Sequence, residues 1–303
     1  MMMKLCKYFR AARLPVMAAL LLAVSSYGRL VPEELKNLDG EIRLVQPVQM
    51  AVLASGDKIA IADRFLNRIV IISHRGEFLK AIGENVKIEA PEAVALTSDN
   101  DILFTKRNLP LVFKIRNSET EVIDTVADLQ SLLKREISIR KILEVPTGGY
   151  LLLDGKSGEL FSVDEEWKKA RSFINNGQGK GMIWSPAQAA IDFSGKVFVA
   201  DLKNYPVQGF TAEGKFLFFG GWDQPGMEKS WEASAIAIDR QERIIAADRT
   251  NSCLRLFDPG GREMQQVELG YAPANIISML VTPDGQLYLI DEFRGLLRAA
   301  WEE

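Results

Sequence analysis

"KVFVADLKNYPVQGF", Lys196 to Phe210, decides the fold. Four apolar residues, Val197 to Ala200, read as a buried strand. Asp201 follows at once, then a short polar turn, then a second strand ending at Phe210. A carboxylate at the end of a buried strand can be a catalytic acid, a metal ligand or a turn-builder. Recurrence discriminates among them.

The pattern recurs. "KIAIADRFLNRIVII" (58–72), "DILFTKRNLPLVFKI" (101–115), "YLLLDGKSGELFSV" (150–163), "RIIAADRTNSCLRLF" (243–257) and "QLYLIDEFRGLLRAA" (286–300) superimpose on it. The acid falls at Asp63, Asp154, Asp201, Asp248 and Asp291, with Thr105 in the second copy. The spacing is about 45 residues, the period of blade-type repeats. A small-residue strand precedes each copy, as in "QMAVLA", "QAAIDF" and "SAIAID", and a turn rich in Asp, Asn or Gly separates the two. A fourth strand follows, such as "EFLKAIG" or "KFLFFGG". Four antiparallel strands per unit and six units predict an all-β chain folded as a six-bladed β-propeller. The sixth unit reaches Glu303 without a fourth strand, while "GEIRLVQ" (40–46) precedes the first unit as a spare. The expectation is that this N-terminal strand closes the last blade and removes the open sheet edge.

"SPAQAAIDFSGKVFVADLKNYPVQGFTAEGKFLFFGG" resembles an NHL repeat in its Pro-led first strand, its "VAD" turn and its "EGKF" hairpin. The resemblance covers about residues 40–303. It implies the propeller fold. NHL-like propellers serve as binding platforms, scaffolds and, less often, enzymes, so the fold alone leaves the activity open. Lyase-type propellers use paired metal-bound histidines, and lactonase-like ones a Glu/Asn/Asp calcium set. Here the chain has a single histidine, His74, in the "SHRGEF" hairpin, and only Glu92 and Asn275 loosely match the calcium set.

Five copies of one acid around a ring point to a structural device. An Asp side chain folds back on nearby backbone N–H groups and caps a turn. Asp63, Asp154, Asp201, Asp248 and Asp291 are therefore read as turn-builders.

Composition is that of a globular protein, 47% hydrophobic and 25% charged. Residues 1–28 read as a secretory signal: Lys4, Lys7, Arg10 and Arg13 precede the apolar run "LPVMAALLLAV" (14–24). The segment is either cleaved or kept as an N-terminal membrane anchor, though its apolar run is shorter than the ~20 residues of a spanning helix. Residues 29–39 are read as a linker and 40–303 as the propeller. Cleavage would take the formal charge from −3 to −7, and an acidic surface disfavours nucleic acid. It would also leave Cys253 as the sole cysteine, read as a buried structural thiol.

Ligand residues of a propeller are sought at the starts of its inner strands. Gln49, Glu92, Arg140, Gln188, Ser234 and Asn275 occupy those positions. "NGQGKG" (176–181) lacks the Ser/Thr of a phosphate loop and reads as an inter-blade linker. "VADLQSLLKREIS" (126–138) has helical spacing. "GGWDQPGMEKSW" (220–231) gathers Trp222, Met227 and Trp231 near Trp184. These four either pack between blades or form a binding face. The expected protein is thus an exported, periplasmic or envelope propeller. It would bind a protein or peptide on one face without a cofactor, as a scaffold that could serve a redox or other envelope complex. The competing expectation is a calcium-dependent lactonase- or lyase-like hydrolase.

Overall fold

The computed structural model describes residues 30–299 except 31, 36, 39–41, 54, 117–121 and 222–230. The leader-like segment 1–28, and Trp222 and Met227, lie outside the described residues.

Six antiparallel sheets of four strands make the ring. The fourth blade is representative. Its innermost strand is Pro186–Ile191, followed outward by Val197–Asp201, Val207–Phe210 and Phe216–Gly220. The inner strands of the other blades are Pro47–Val52, Pro91–Leu96, Ile139–Glu144, Ala233–Ile238 and Ile276–Val281. Alternation within each strand sends successive side chains to opposite faces of its sheet. Ile59 and Ile61 thus meet Tyr288 and Ile290 of blade six, while Ala60 and Ala62 meet Val94 and Phe104 of blade two. Six buried clusters result, one between each pair of neighbouring blades. The helix in 126–138 is shorter than its spacing suggests, Leu129–Leu133. Asp128 caps it by accepting from the Gln130 and Ser131 N–H groups, and Lys134 stops it in a left-handed conformation.

An N-terminal strand does close the last blade, but it is not the expected one. Glu33–Glu34 pairs with Gly295–Ala299, Glu33 opposite Arg298 and Glu34 opposite Leu297. Ile42–Arg43 pairs instead with Asn37–Leu38 in a separate two-stranded ladder. Reach disfavours the expected strand, since a return from Arg43 to Pro47 would need a fully extended connection with no slack. Strands sit about 4.8 Å apart, so returning from a fourth strand to the next inner strand covers about 14 Å. Only three residues separate Arg43 from Pro47, whereas every other blade-to-blade connection has seven or more. Twelve residues separate Glu34 from Pro47, which suffices.

Register also corrects the second copy. Pro47 lies opposite Asp63, and the equivalent Pro91 lies opposite Lys106. Lys106, rather than Thr105, stands where the other copies have the acid. Its ammonium donates to the Lys87 carbonyl at 2.9 Å, holding the incoming linker from the cationic side.

Candidate functional site

The repeated acids sit where the second strand ends and the linker enters. Asp201 is fully buried. It accepts from Lys203 N and Asn204 N in its own turn and from Trp184 N and Ser185 N in the linker. Asp154 accepts from Lys156 N, Ser157 N and Ser138 N, and Asp291 from Phe293 N, Arg294 N and Asn275 N. Asp63 takes Gln46 N at 2.9 Å. Asp248 takes Asn251 N and the Arg255 Nε. Each carboxylate is held by donors of its own turn, of the entering linker or of the neighbouring strand.

A different set of side chains meets at the axis. Two residues beyond the start of each inner strand stand Gln49, Ala93, Lys141, Gln188, Ala235 and Ser278, all buried. Lys141 belongs to blade three, yet its Nζ donates to Gln49 Oε1 (3.0 Å) and the Met50 carbonyl (3.1 Å) of blade one. Blades one and three are not neighbours, so the lysine crosses the axis. Ser278 Oγ donates to the same Gln49 Oε1 at 2.6 Å, and Gln49 Nε2 donates to the Arg140 carbonyl. Gln188 receives Ile236 N–H and directs its Nε2 toward Ser278 and the Met279 carbonyl. These groups plug the channel. Lys141 is 6% exposed, and burial pushes its pKa down to about 8. Among the described residues no carboxylate pairs with it.

Beyond the plug, toward the hairpins that join first and second strands, the axis opens into a cavity of about 850 Å³. All six inner strands contribute to its wall, with Ala51, Ala95, Leu143, Ala190, Ala237 and Leu280 giving an apolar lining. Lys141 and Gln188 lie at its base, and hairpin residues including Asp99, Glu165 and Arg240 at its mouth. Phe193, also at the mouth, is 76% exposed. A volume in this range suits a small ligand or a short peptide segment.

The structure separates most of the residues singled out from sequence. Gln49 and Gln188 join through Ser278 in the plug. Ser234 is buried beside it, donating to the Ala247 carbonyl at 3.5 Å. The Arg140 side chain is exposed. Glu92 is held by Arg64 at 2.5 Å, and Asn275 donates to Glu292. The calcium set that those two residues suggested is thus divided between other partners. Among the described residues no three His, Cys, Asp or Glu side chains are placed to hold a metal ion.

Trp231 is no surface residue: it is 2% exposed, packed between blades four and five, with its indole N–H on the Gly221 carbonyl. Trp184 is 41% exposed, but it precedes the inner strand and so lies at the end opposite the cavity. His74 stands 3.7 Å from Asp284, bridging hairpins of blades one and six. Burial and the nearby Asp248 push the Cys253 thiol up to about 11, which suits packing and not nucleophilic attack.

Lys141 escaped the sequence reading. Its signal was available: "IRKILEV" is the inner strand without a leading Pro, and it carries a cation where other copies have Gln, Ala or Ser.

No family model matches the chain, and no curated protein is matched by it. Solved structures share its fold at low identity. Virginiamycin B lyase from Staphylococcus aureus superimposes with a TM-score of 0.61 at 13% identity, covering 91% of this chain and 89% of that one. A putative gluconolactonase gives 0.65 at 13% identity, covering 92% and 95%. A catalytically inactive histidine-to-alanine variant of the S. aureus lyase, solved with quinupristin, gives 0.59 at 13%, covering 90% and 99%. The class is therefore a six-bladed β-propeller like those of lyase and lactonase type. At such identities the likeness is one of architecture.

Proposed function

We propose that this protein is a non-enzymatic binding propeller of the NHL-like kind, exported to the cell envelope, that receives a peptide or protein partner at its axial cavity. The observation that carries the reading is the preformed cavity with Phe193 exposed at its mouth. An aromatic side chain left in water at the rim of a hollow lined by both apolar and polar groups is the arrangement expected of a binding centre. Export rests on the leader-like segment, and service to a redox or other envelope complex rests on the NHL resemblance.

The second reading is a lactonase- or lyase-like hydrolase, favoured by the architectural likeness to a putative gluconolactonase. The side chains argue against it. The histidine whose loss inactivates the lyase has no candidate here other than His74, which faces Asp284 in a hairpin. Glu92 is neutralised by Arg64.

A display library of random peptides decides between them. Wild type should enrich a defined peptide family, and Phe193→Ser should lose that enrichment while keeping the wild-type melting temperature. Calcium-dependent opening of δ-valerolactone by the purified protein would overturn the binding reading.

A further inference from the structure

We propose that Lys141 is the anchor for a carboxylate on the ligand of the axial cavity. The ligand class is a monocarboxylate with an apolar body, whether a free acid or the C-terminus of a peptide. The inference rests on the cavity being the ligand site.

The surroundings of the lysine lead to it. An ammonium has three donors, and only Gln49 Oε1 and the Met50 carbonyl take them up. Both acceptors are neutral. Elsewhere the fold neutralises its buried cation: Arg255, comparably buried, is met by Asp248 at 2.8 Å and by Glu263 at 2.9 Å. An uncompensated buried charge is costly, so its presence at the base of a cavity calls for an anion from outside.

Closing the channel does not require the charge. Equivalent positions in blades one and four carry Gln49 and Gln188, which hydrogen-bond across strands without it. Burial at the base of the cavity would strengthen an ion pair there, because little water reaches it to screen the charge.

The cavity also restricts which anion enters. Asp99, Glu144, Glu165, Asp192 and Asp239 line its outer part. Asp192 and Asp239 are engaged by their own hairpins and Glu144 by Ser98. Asp99 and Glu165 remain there beside Lys114 and Arg240, so the mouth presents mixed charge and no concentrated positive field for a polyanion such as a nucleotide. A single carboxylate on an apolar body meets one cation at the base and apolar walls along its length.

Titration calorimetry on the full folded chain tests this with two pairs of probes. One pair is octanoate and octanamide; the other is Ac-Ala-Leu-Ala-Leu with a free or an amidated C-terminus. The acid of at least one pair should bind about tenfold or more tighter than its amide, the size expected of a charge-assisted hydrogen bond. Which pair shows the preference distinguishes a free acid from a peptide end. Lys141→Gln, which copies the residue of blades one and four, should abolish the preference by weakening the acid far more than the amide. Lys141→Arg should retain it. Acid and amide binding alike, or a preference that survives Lys141→Gln, would overturn the anchor. If they bind alike and Phe193→Ser weakens both, the cavity stands as the ligand site and only the anchor falls. Absence of binding by all four probes at about 10 mM, where even weak ligands register, would overturn the anchor. A peptide family still enriched from the library would then show that the cavity reading survives it.

Discussion

The turn acids and the axial ring occupy the same six blades, yet they follow opposite rules. At the second-strand ends an acid appears five times, each time holding backbone N–H groups of its own turn or of the entering linker. At the axis the six equivalent positions hold Gln, Ala, Lys, Gln, Ala and Ser. A demand made by the architecture recurs with the repeat. A demand made by a ligand falls once, at one angle around the ring. Repetition therefore marks masonry here, and the singular residue marks the place to look for function.

The strongest way to break that contrast is Asp201→Ala. Four backbone donors would lose their acceptor in a fully buried site. The expected loss is about 3 kcal/mol in urea unfolding. Unchanged stability with altered ligand binding would show that a repeated acid can be functional.

Lys141→Met probes the opposite side. Removing a buried, unpaired cation in favour of an apolar side chain should raise stability by about 2 kcal/mol at pH 7. A loss of similar size would make the lysine masonry too.

Its pH dependence sharpens the assignment. Lys141 is pushed down to about 8 in the fold from an ordinary 10.5. Between those values the unfolded chain holds a proton that the folded chain has released, so its contribution to stability rises with pH. Cys253, raised from 9.0 to about 11, acts the other way: above pH 9 the unfolded thiol ionises first and stability falls. The difference between wild type and Lys141→Met isolates the lysine. Their unfolding free energies should converge from pH 8 to 10.5 and run parallel below about pH 7.

The smallest effect is expected at the seam. Glu33 contacts Arg298 at 2.7 Å with its side chain largely in solvent. Glu33→Ala should cost no more than about 0.5 kcal/mol, and less at high salt. A larger, salt-insensitive loss would mean that this pair and not the strand pairing holds the ring shut.

The repeat, the blade count and the acids were legible because each is written five or six times, and errors in one copy are outvoted. Apart from the second copy, where Lys106 and not Thr105 stands at the acid's position, the misreadings fall on features written once. Glu33–Glu34 has no apolar pattern to announce a strand, since its partner strand supplies the buried side chains. "GEIRLVQ" has the pattern but would need a fully extended connection to reach the first inner strand. For Trp231 both packing between blades and a binding face were open from sequence, and the contacts with the Gly221 carbonyl and Phe257 place it between blades four and five. Lys141 is an ordinary charge until six strands converge around it. Which polar residue ends up sharing the axis is a fact of the ring, invisible in any single repeat.

The two-residue closing strand carries a consequence for biosynthesis. Glu33 is among the first residues of the ring to emerge from the ribosome, and Arg298, its partner, is among the last. Blades one to five can assemble from local hairpins as translation proceeds, but the circle stays open until Gly295–Ala299 has been made. Throughout that interval the flank of blade one, with Met50, Ile59 and Ile61, lacks the neighbour that covers it in the finished ring. Such uncovered strands invite off-pathway association. The ring is therefore most vulnerable until Gly295–Ala299 emerges to pair with Glu33–Glu34.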